Sequence, residues 1–331
     1  MLTSSILTVF IEAIAIICLN MREILGFRLS KGVFARHLSQ SCNNYPSKVS
    51  IKQYSASYEI KHLLLDDYGK KCRVTYIDEN PSGHPGPPLV IVGGTAQTIN
   101  TYTMHIKPIA KSRRLVIIEM RGQGSTELQS QYATMRQHVS DLHSITDALG
   151  IQAMDLSGFS FGGRLAVAFA AHHPHKVSKL SVTGTPLHRP RLGGLVLRSW
   201  QEALERGNLR DCAWSFILNG YSADFIEKYA DKLPALVDMV LEANKVDRLY
   251  DLVRFSGEGG LEYTVPHCAP LVQCPTQIIA AMEDRIAGYE PVLELQSVFK
   301  DVASVTTIKA GHLAPFEQPV AWRKALLTFL G

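Results

Sequence analysis

The sequence is poor in the features that would mark a metal, disulfide or nucleic-acid protein. Its six cysteines (Cys18, Cys42, Cys72, Cys212, Cys268 and Cys274) include no C-x-x-C pair and no Cys/His spacing suited to zinc. They read as free thiols in a reducing compartment, Cys268 and Cys274 included, although those two could pair in principle. Charge is thin as well: 34 Lys+Arg against 30 Asp+Glu leave a net +4 over 331 residues. Binding a phosphate backbone needs clustered cations, so no nucleic-acid partner is expected. The densest basic stretch, Lys111, Arg113 and Arg114, abuts an apolar run and reads as a solvated helix end. Ile6 to Leu19 is the one long apolar run. It covers about 14 residues with Glu12 inside, short of the roughly 20 a spanning helix needs. No repeat or low-complexity tract occurs. Gly93-Gly94 and Gly122-x-Gly124 both fail the G-x-G-x-x-G spacing of a dinucleotide site. No cofactor and no metal are implied.

What is present divides at about residue 50. Residues 1–50 hold most of the net charge. From Met21, Arg22, Arg28, Lys31 and Arg36 interleave with Ile24, Leu25, Phe27, Leu29, Val33 and Phe34, acids are almost lacking, and serines follow. That pattern reads as a transit-peptide-like or disordered leader, most simply mitochondrial. Cytoplasmic placement, or membrane contact through the apolar N-terminal segment, is the other outcome. Met21 is a candidate alternative start.

From residue 51 onward, β-rich and helix-like segments alternate, the signature of a mostly parallel sheet with helices on both faces. Tyr58–Leu65 and Lys71–Asp78 read as a hairpin pair. Strands are expected at Pro88–Val92, Leu115–Ile118, Ala153–Leu156, Leu180–Val182, Gln277–Ala281 and Val302–Ile308. Helices are expected at His138–Leu149, Leu165–Ala171, Val292–Phe299 and Val320–Leu330. The rhythm breaks over about 187–265, where helices at Leu195–Leu204, Cys212–Leu218, Ala223–Tyr229 and Leu233–Leu252 imply an inserted helical cap. Its apolar residues (Trp200, Leu204, Trp214, Phe216, Ile217, Phe225, Leu236, Val240) are candidates to line an acyl pocket, most of them also needed for packing.

The chemistry centres on Gly158-Phe159-Ser160-Phe161-Gly162, a G-x-S-x-G entered by an apolar strand and left by a helix-forming segment. A sharp strand-to-helix turn holds a serine in strained geometry with its hydroxyl exposed. Phe161 then offers a backbone N–H at a helix start, where unpaired donors suit an oxyanion. A serine nucleophile needs a base, and the base an orienting acid. His312, behind Gly311 after the last strand, is the first candidate base and His267 the reserve. Asp284, after the strand ending at Ala281, is the candidate acid, with neighbouring Glu283 as the alternative. His172, His173 and His175 read as a solvated helix end, and Arg164 as a surface residue.

Taken together, Gly93-Gly94-Thr95, Met120-Arg121-Gly122-Gln123-Gly124-Ser125, the turn at Ser160, Asp284, and Gly311-His312 with Glu317 and Pro319 resemble the α/β-hydrolase superfamily. The resemblance covers about Tyr58 to Gly331 and implies an eight-stranded, mostly parallel sheet flanked by helices, with the cap inserted. It implies a triad of Ser160, Asp284 and His312 and an oxyanion hole from the N–H groups of Phe161 and Thr95. Many relatives carry His-Gly where this chain has Gly93-Gly94, which keeps Gly94 as an alternative hole residue. Serine rather than aspartate at the turn disfavours dehalogenase and epoxide hydrolase chemistry. The expectation is a serine hydrolase acting on an ester, thioester or related acyl bond of a small molecule. The alternatives are a non-catalytic small-molecule binder and a carbon–carbon hydrolase or lyase of the same fold.

Overall fold

A computed structural model describes residues 58–331; the leader, Met21, Cys18 and Cys42 lie outside the described residues. The chain opens with a hairpin, β1 (Lys61–Asp67) and β2 (Lys70–Glu79), followed by β3 (Leu89–Val92), α1 (Thr103–Ala110), β4 (Leu115–Ile118) and α2 (Met135–Ala148). Then come β5 (Met154–Phe159), α3 (Phe161–His172) and β6 (Val177–Thr183). Between β6 and β7 (Thr276–Ala281) the chain is wholly helical: α4 (Arg191–Glu205), α5 (Leu209–Gly220), α6 (Ala223–Lys228), α7 (Leu233–Ala243), α8 (Val246–Phe255) and α9 (Val265–Cys268), with short 3-10 turns. The chain closes with α10 (Tyr289–Leu293), β8 (Val302–Ile308), α11 (Ala314–Glu317) and α12 (Pro319–Leu330).

The eight strands form one sheet in the order β1-β2-β4-β3-β5-β6-β7-β8. The β1/β2 and β2/β4 pairs are antiparallel and the other five parallel. Side chains alternate between the faces of a strand. Val90, Val92, Val116 and Ile118 accordingly enter one core with Leu142, Ile145, Leu165 and Phe169 of α2 and α3. Leu89, Ile91, Leu115 and Ile117 enter the other with Ile106, Ile109, Trp322 and Leu326 of α1 and α12. Both faces are covered, which explains why β3 and β4 read as unbroken apolar runs.

Three local readings differ from the structure. The helix expected over Leu233–Leu252 is two: Asn244 has extended backbone, its Nδ2 donates to Val240 O (3.0 Å), and α7 ends there. The helix expected over Val292–Phe299 is instead α10 followed by a 3-10 turn at Glu294–Ser297. Arg113 is no solvated helix end; it is buried and pairs with Asp155 (2.7 Å), while Arg114 pairs with Asp78. The four described cysteines are free and buried, Cys268 and Cys274 included. Among the described residues no helix is long and apolar enough to cross a membrane, and no His/Cys/Asp/Glu cluster is arranged for a metal.

Candidate active site

Parallel pairing sets the carboxyl ends of the central strands side by side: Val92 lies opposite Gly158, Phe159 opposite Thr183, and Ala281 opposite Ile308. Loops leaving that edge carry Thr95, Ser160, Asp284 and His312, the place where open α/β sheets hold ligands. Ser160 has φ 54° and ψ −113°, a left-handed backbone unusual for a residue with a Cβ. The turn is tight enough that a Cβ on Gly158 would press on Gly162 and Gly163 of α3, and one on Gly162 would strike the backbone of Val92 and Gly93. The glycines around Ser160 therefore serve close approach of the first turn of α3 to the sheet.

The three side chains form one hydrogen-bonded chain. Asp284 can only accept when ionised, so His312 Nδ1–H donates to its Oδ2 (2.7 Å), and Nε2 accepts the Ser160 hydroxyl (2.8 Å). The other Asp284 oxygen accepts from the backbone N–H of Ile286 (2.9 Å) and Ala287 (2.7 Å), which fixes the carboxylate plane. Asp284 and His312 are buried, and the His312 ring packs on Phe159 with centroids 5.0 Å apart. Gly311 precedes His312 where a Cβ would meet the backbone of Gly220, Tyr221 and Ser222. Glu317 ties that loop to the cap by accepting from Gly311 N (3.0 Å), Ser222 N (2.9 Å) and the Ser222 hydroxyl. The reserve residues stay outside: His267 is exposed on α9, and Glu283 is half-buried with Asp284 holding the histidine.

Phe161 N opens α3 beside Ser160, and Thr95 lines the same cavity. The alternative donor, Gly94 N, is already engaged by Gln97 Oε1 (2.8 Å). The Thr95 turn is held from several sides. Gln97 Oε1 also accepts from the Tyr102 hydroxyl (2.8 Å), Gln123 Nε2 donates to Gly94 O (2.6 Å), and Asn244 Nδ2 of the cap donates to Ala96 O (3.1 Å). Ala96 takes φ 64° to close the turn. Gln123 and its partner Gly94 each lay within a stretch marked in the sequence, but nothing there paired them. Asn244 carried no sequence signal, because its role depends on a contact 148 residues away.

The site opens into a cavity of about 560 Å³ between sheet and cap, within the size range of small-molecule pockets. Of the eight cap residues offered as pocket candidates, Trp200 lines it. Leu204 is buried in the main core, Phe216 packs against that core, and Ile217, Trp214, Phe225, Leu236 and Val240 build the cap's own cluster. Arg164, read as a surface residue, is half-buried in the cavity wall, one turn past Ser160, and donates to Ser256 O (2.9 Å). Arg189 borders the same space. Burial, with the nearby Arg189 charge added, lowers the Arg164 guanidinium to about 10, still charged at neutral pH.

Comparison with known proteins agrees with this architecture. Residues 87–319 match the family model for the alpha/beta hydrolase fold. The chain is 26% identical over 251 residues to the pyrrolizixenacetamide deacetylase of Xenorhabdus hominickii, spanning 74% of this chain and 91% of that protein. It is 33% identical over 104 residues to the 2-hydroxymuconate semialdehyde hydrolase of Pseudomonas sp. (strain CF600), 30% of this chain and 37% of that one. The crystal structure of the enol-lactonase from Burkholderia xenovorans LB400 superposes with a TM-score of 0.70 at 18% identity, over 81% of this chain and 99% of that chain, which speaks for the fold alone. Sheet order, strand-end site and family match agree: the chain belongs to the α/β-hydrolase fold family, and the members similar to it include hydrolases.

Proposed function

We propose that the protein is a serine hydrolase that cleaves an ester, thioester or related acyl bond through Ser160, His312 and Asp284. The observation that carries the reading is the continuous hydrogen-bonded chain from Asp284 through His312 to a strained Ser160 facing the cavity. In the first half-reaction His312 Nε2 takes the hydroxyl proton as Ser160 Oγ attacks the carbonyl carbon. The tetrahedral oxygen receives the N–H groups of Phe161 and Thr95. Collapse breaks the acyl bond, and His312 returns the proton to the leaving group. Asp284 stabilises the imidazolium and holds its tautomer. In the second half-reaction water gives a proton to His312 as it attacks the acyl carbon; collapse breaks the bond to Ser160 Oγ, which takes that proton back from His312, and the acid leaves.

Similarity to a deacetylase over most of the chain supports an acyl bond as the target. Carbon–carbon cleavage is the second reading, supported by the shorter match to 2-hydroxymuconate semialdehyde hydrolase. The test is labelling with a fluorophosphonate probe together with turnover of a graded series of p-nitrophenyl acyl esters. Labelling and turnover, both lost in Ser160→Ala, are expected. Absence of both in the wild type would refute the proposal and favour a binding protein; labelling without ester turnover would favour the second reading.

A further inference from the structure

The cavity wall carries four arginines and two glutamates, and their pairing is uneven. Arg198 Nε donates to Glu202 (2.9 Å), and Glu205 accepts from the Tyr250 hydroxyl (3.2 Å) and from Gln201 (3.2 Å). Arg254 lies over the rings of Tyr250 and Phe255. These groups sit on α4 and α8. Arg164 and Arg189 differ. Arg164 leaves α3 one turn after Ser160, its N–H bonded to Ser160 O (3.1 Å), and its only side-chain partner among the described residues is the Ser256 carbonyl. Arg189 follows β6, borders the cavity, and makes no ion pair or side-chain hydrogen bond among the described residues. Two guanidinium groups thus line the cavity with no ion pair of their own among the described residues, near enough that the Arg189 charge adds to burial in lowering Arg164. A protein that needed them only for packing would gain by pairing one with an acid. An anion entering the cavity supplies the missing partner.

We infer that Arg164 and Arg189 form an anion subsite and that the substrate is an acyl compound carrying a carboxylate a short distance from the scissile carbonyl. The inference rests on the hydrolase reading of the same site. Arg164 stands four residues beyond Ser160 on one helix, a rise of about 6 Å. A short linker therefore suffices between the attacked carbon and the carboxylate. The planar guanidinium fork matches a carboxylate in two parallel hydrogen bonds, stronger than neutral ones. The anion also explains how a cavity walled by Leu197, Trp200, Val253 and Ile286 selects among substrates: the apolar walls accept the linker and the arginines fix its end.

The experiment compares kcat/KM for 4-methylumbelliferyl hemisuccinate and hemiglutarate with that for the uncharged butyrate ester, and for 4-acetoxybenzoate with that for phenyl acetate. The first comparison places the carboxylate on the acyl side, the second on the alcohol side. The wild type is expected to favour the charged member of one comparison roughly ten- to hundredfold, the range of a charge-assisted hydrogen bond. That preference collapses in Arg164→Gln and Arg189→Gln and returns in part in Arg164→Lys. Succinate should compete with the neutral ester and slow fluorophosphonate labelling, a readout that needs no variant. Equal turnover of charged and neutral esters, with no protection by succinate, overturns the subsite while leaving the hydrolase intact. Equal loss on charged and neutral esters in the variants would reduce Arg164 to a tether for Ser256. Stronger protection by inorganic phosphate than by succinate would overturn the carboxylate assignment. No labelling and no turnover of any ester would instead refute the hydrolase reading itself.

Discussion

The strained backbone at Ser160 lends itself to a direct measurement, because two substitutions remove the hydroxyl and differ only in whether a Cβ remains. At φ 54° and ψ −113° a residue with a Cβ carries strain of about 1–3 kcal/mol. Ser160→Ala keeps it and Ser160→Gly releases it. Glycine costs about 0.4–1 kcal/mol through the greater freedom of the unfolded chain, so Ser160→Gly should be more stable than Ser160→Ala by roughly 1–2 kcal/mol. For a domain of this size that is a Tm difference of about 2–6 °C. Both variants lose the bond to His312 equally, so the comparison isolates the backbone. The assay is thermal unfolding of both variants under identical buffer and scan rate, with urea midpoints as a second measure. A Ser160→Gly protein no more stable than Ser160→Ala would mean that the turn stores no strain, and the argument for a pre-tensioned nucleophile would fall.

In Asp284→Asn the side-chain oxygen keeps the Ile286 and Ala287 N–H groups, which turns the amide NH2 toward His312 Nδ1 and forces the wrong tautomer. Ester turnover should drop by about 10⁴ in kcat with the fold intact by circular dichroism; retention within tenfold would contradict the assigned role. Gln123→Leu removes the donor to Gly94 O and loosens the Thr95 turn. We expect kcat to fall about ten- to hundredfold with little change in KM, a fraction of the roughly 10²–10³ due to a whole oxyanion donor. The fold also predicts an acid limb of instability. Burial lowers His105 and His138 to about 3. As pH falls below about 6.5 the unfolded chain gains these protons and the folded chain does not, so stability is lost toward pH 3. At pH 5 the two together cost about 4 kcal/mol relative to pH 8. His138→Leu should flatten the decline in Tm between pH 7 and pH 5, and an unchanged slope would exclude His138 as a source.

The strand rhythm was legible because β3, β4 and β8 are bounded by turn residues and carry the apolar patterns that buried or half-buried strands impose. Ser160 was legible because close approach of helix and sheet allows only glycine at Gly158 and Gly162, a constraint that leaves a mark in the chain itself. Helix boundaries in the cap were less legible. α7 and α8 share a continuous amphipathic pattern, and the break at Asn244 comes from a side chain satisfying carbonyls at Val240 and Ala96. Arg113 and Arg164 misled for a related reason: a cation beside an apolar run looks solvated unless its partner, Asp155 or the cavity, is known.

The sequence by itself determined the sheet-and-helix order, the helical insertion and the short list of residues able to activate a serine, because periodicity and steric exclusion act on near neighbours along the chain. Which histidine meets Ser160 across 152 positions was decided only by the tertiary structure, as were the occupation of Gly94 N and the presence of two arginines without an ion pair on the cavity wall. Those facts depend on parallel strands bringing distant loops to one edge of the sheet, and on charges whose partners are set by space.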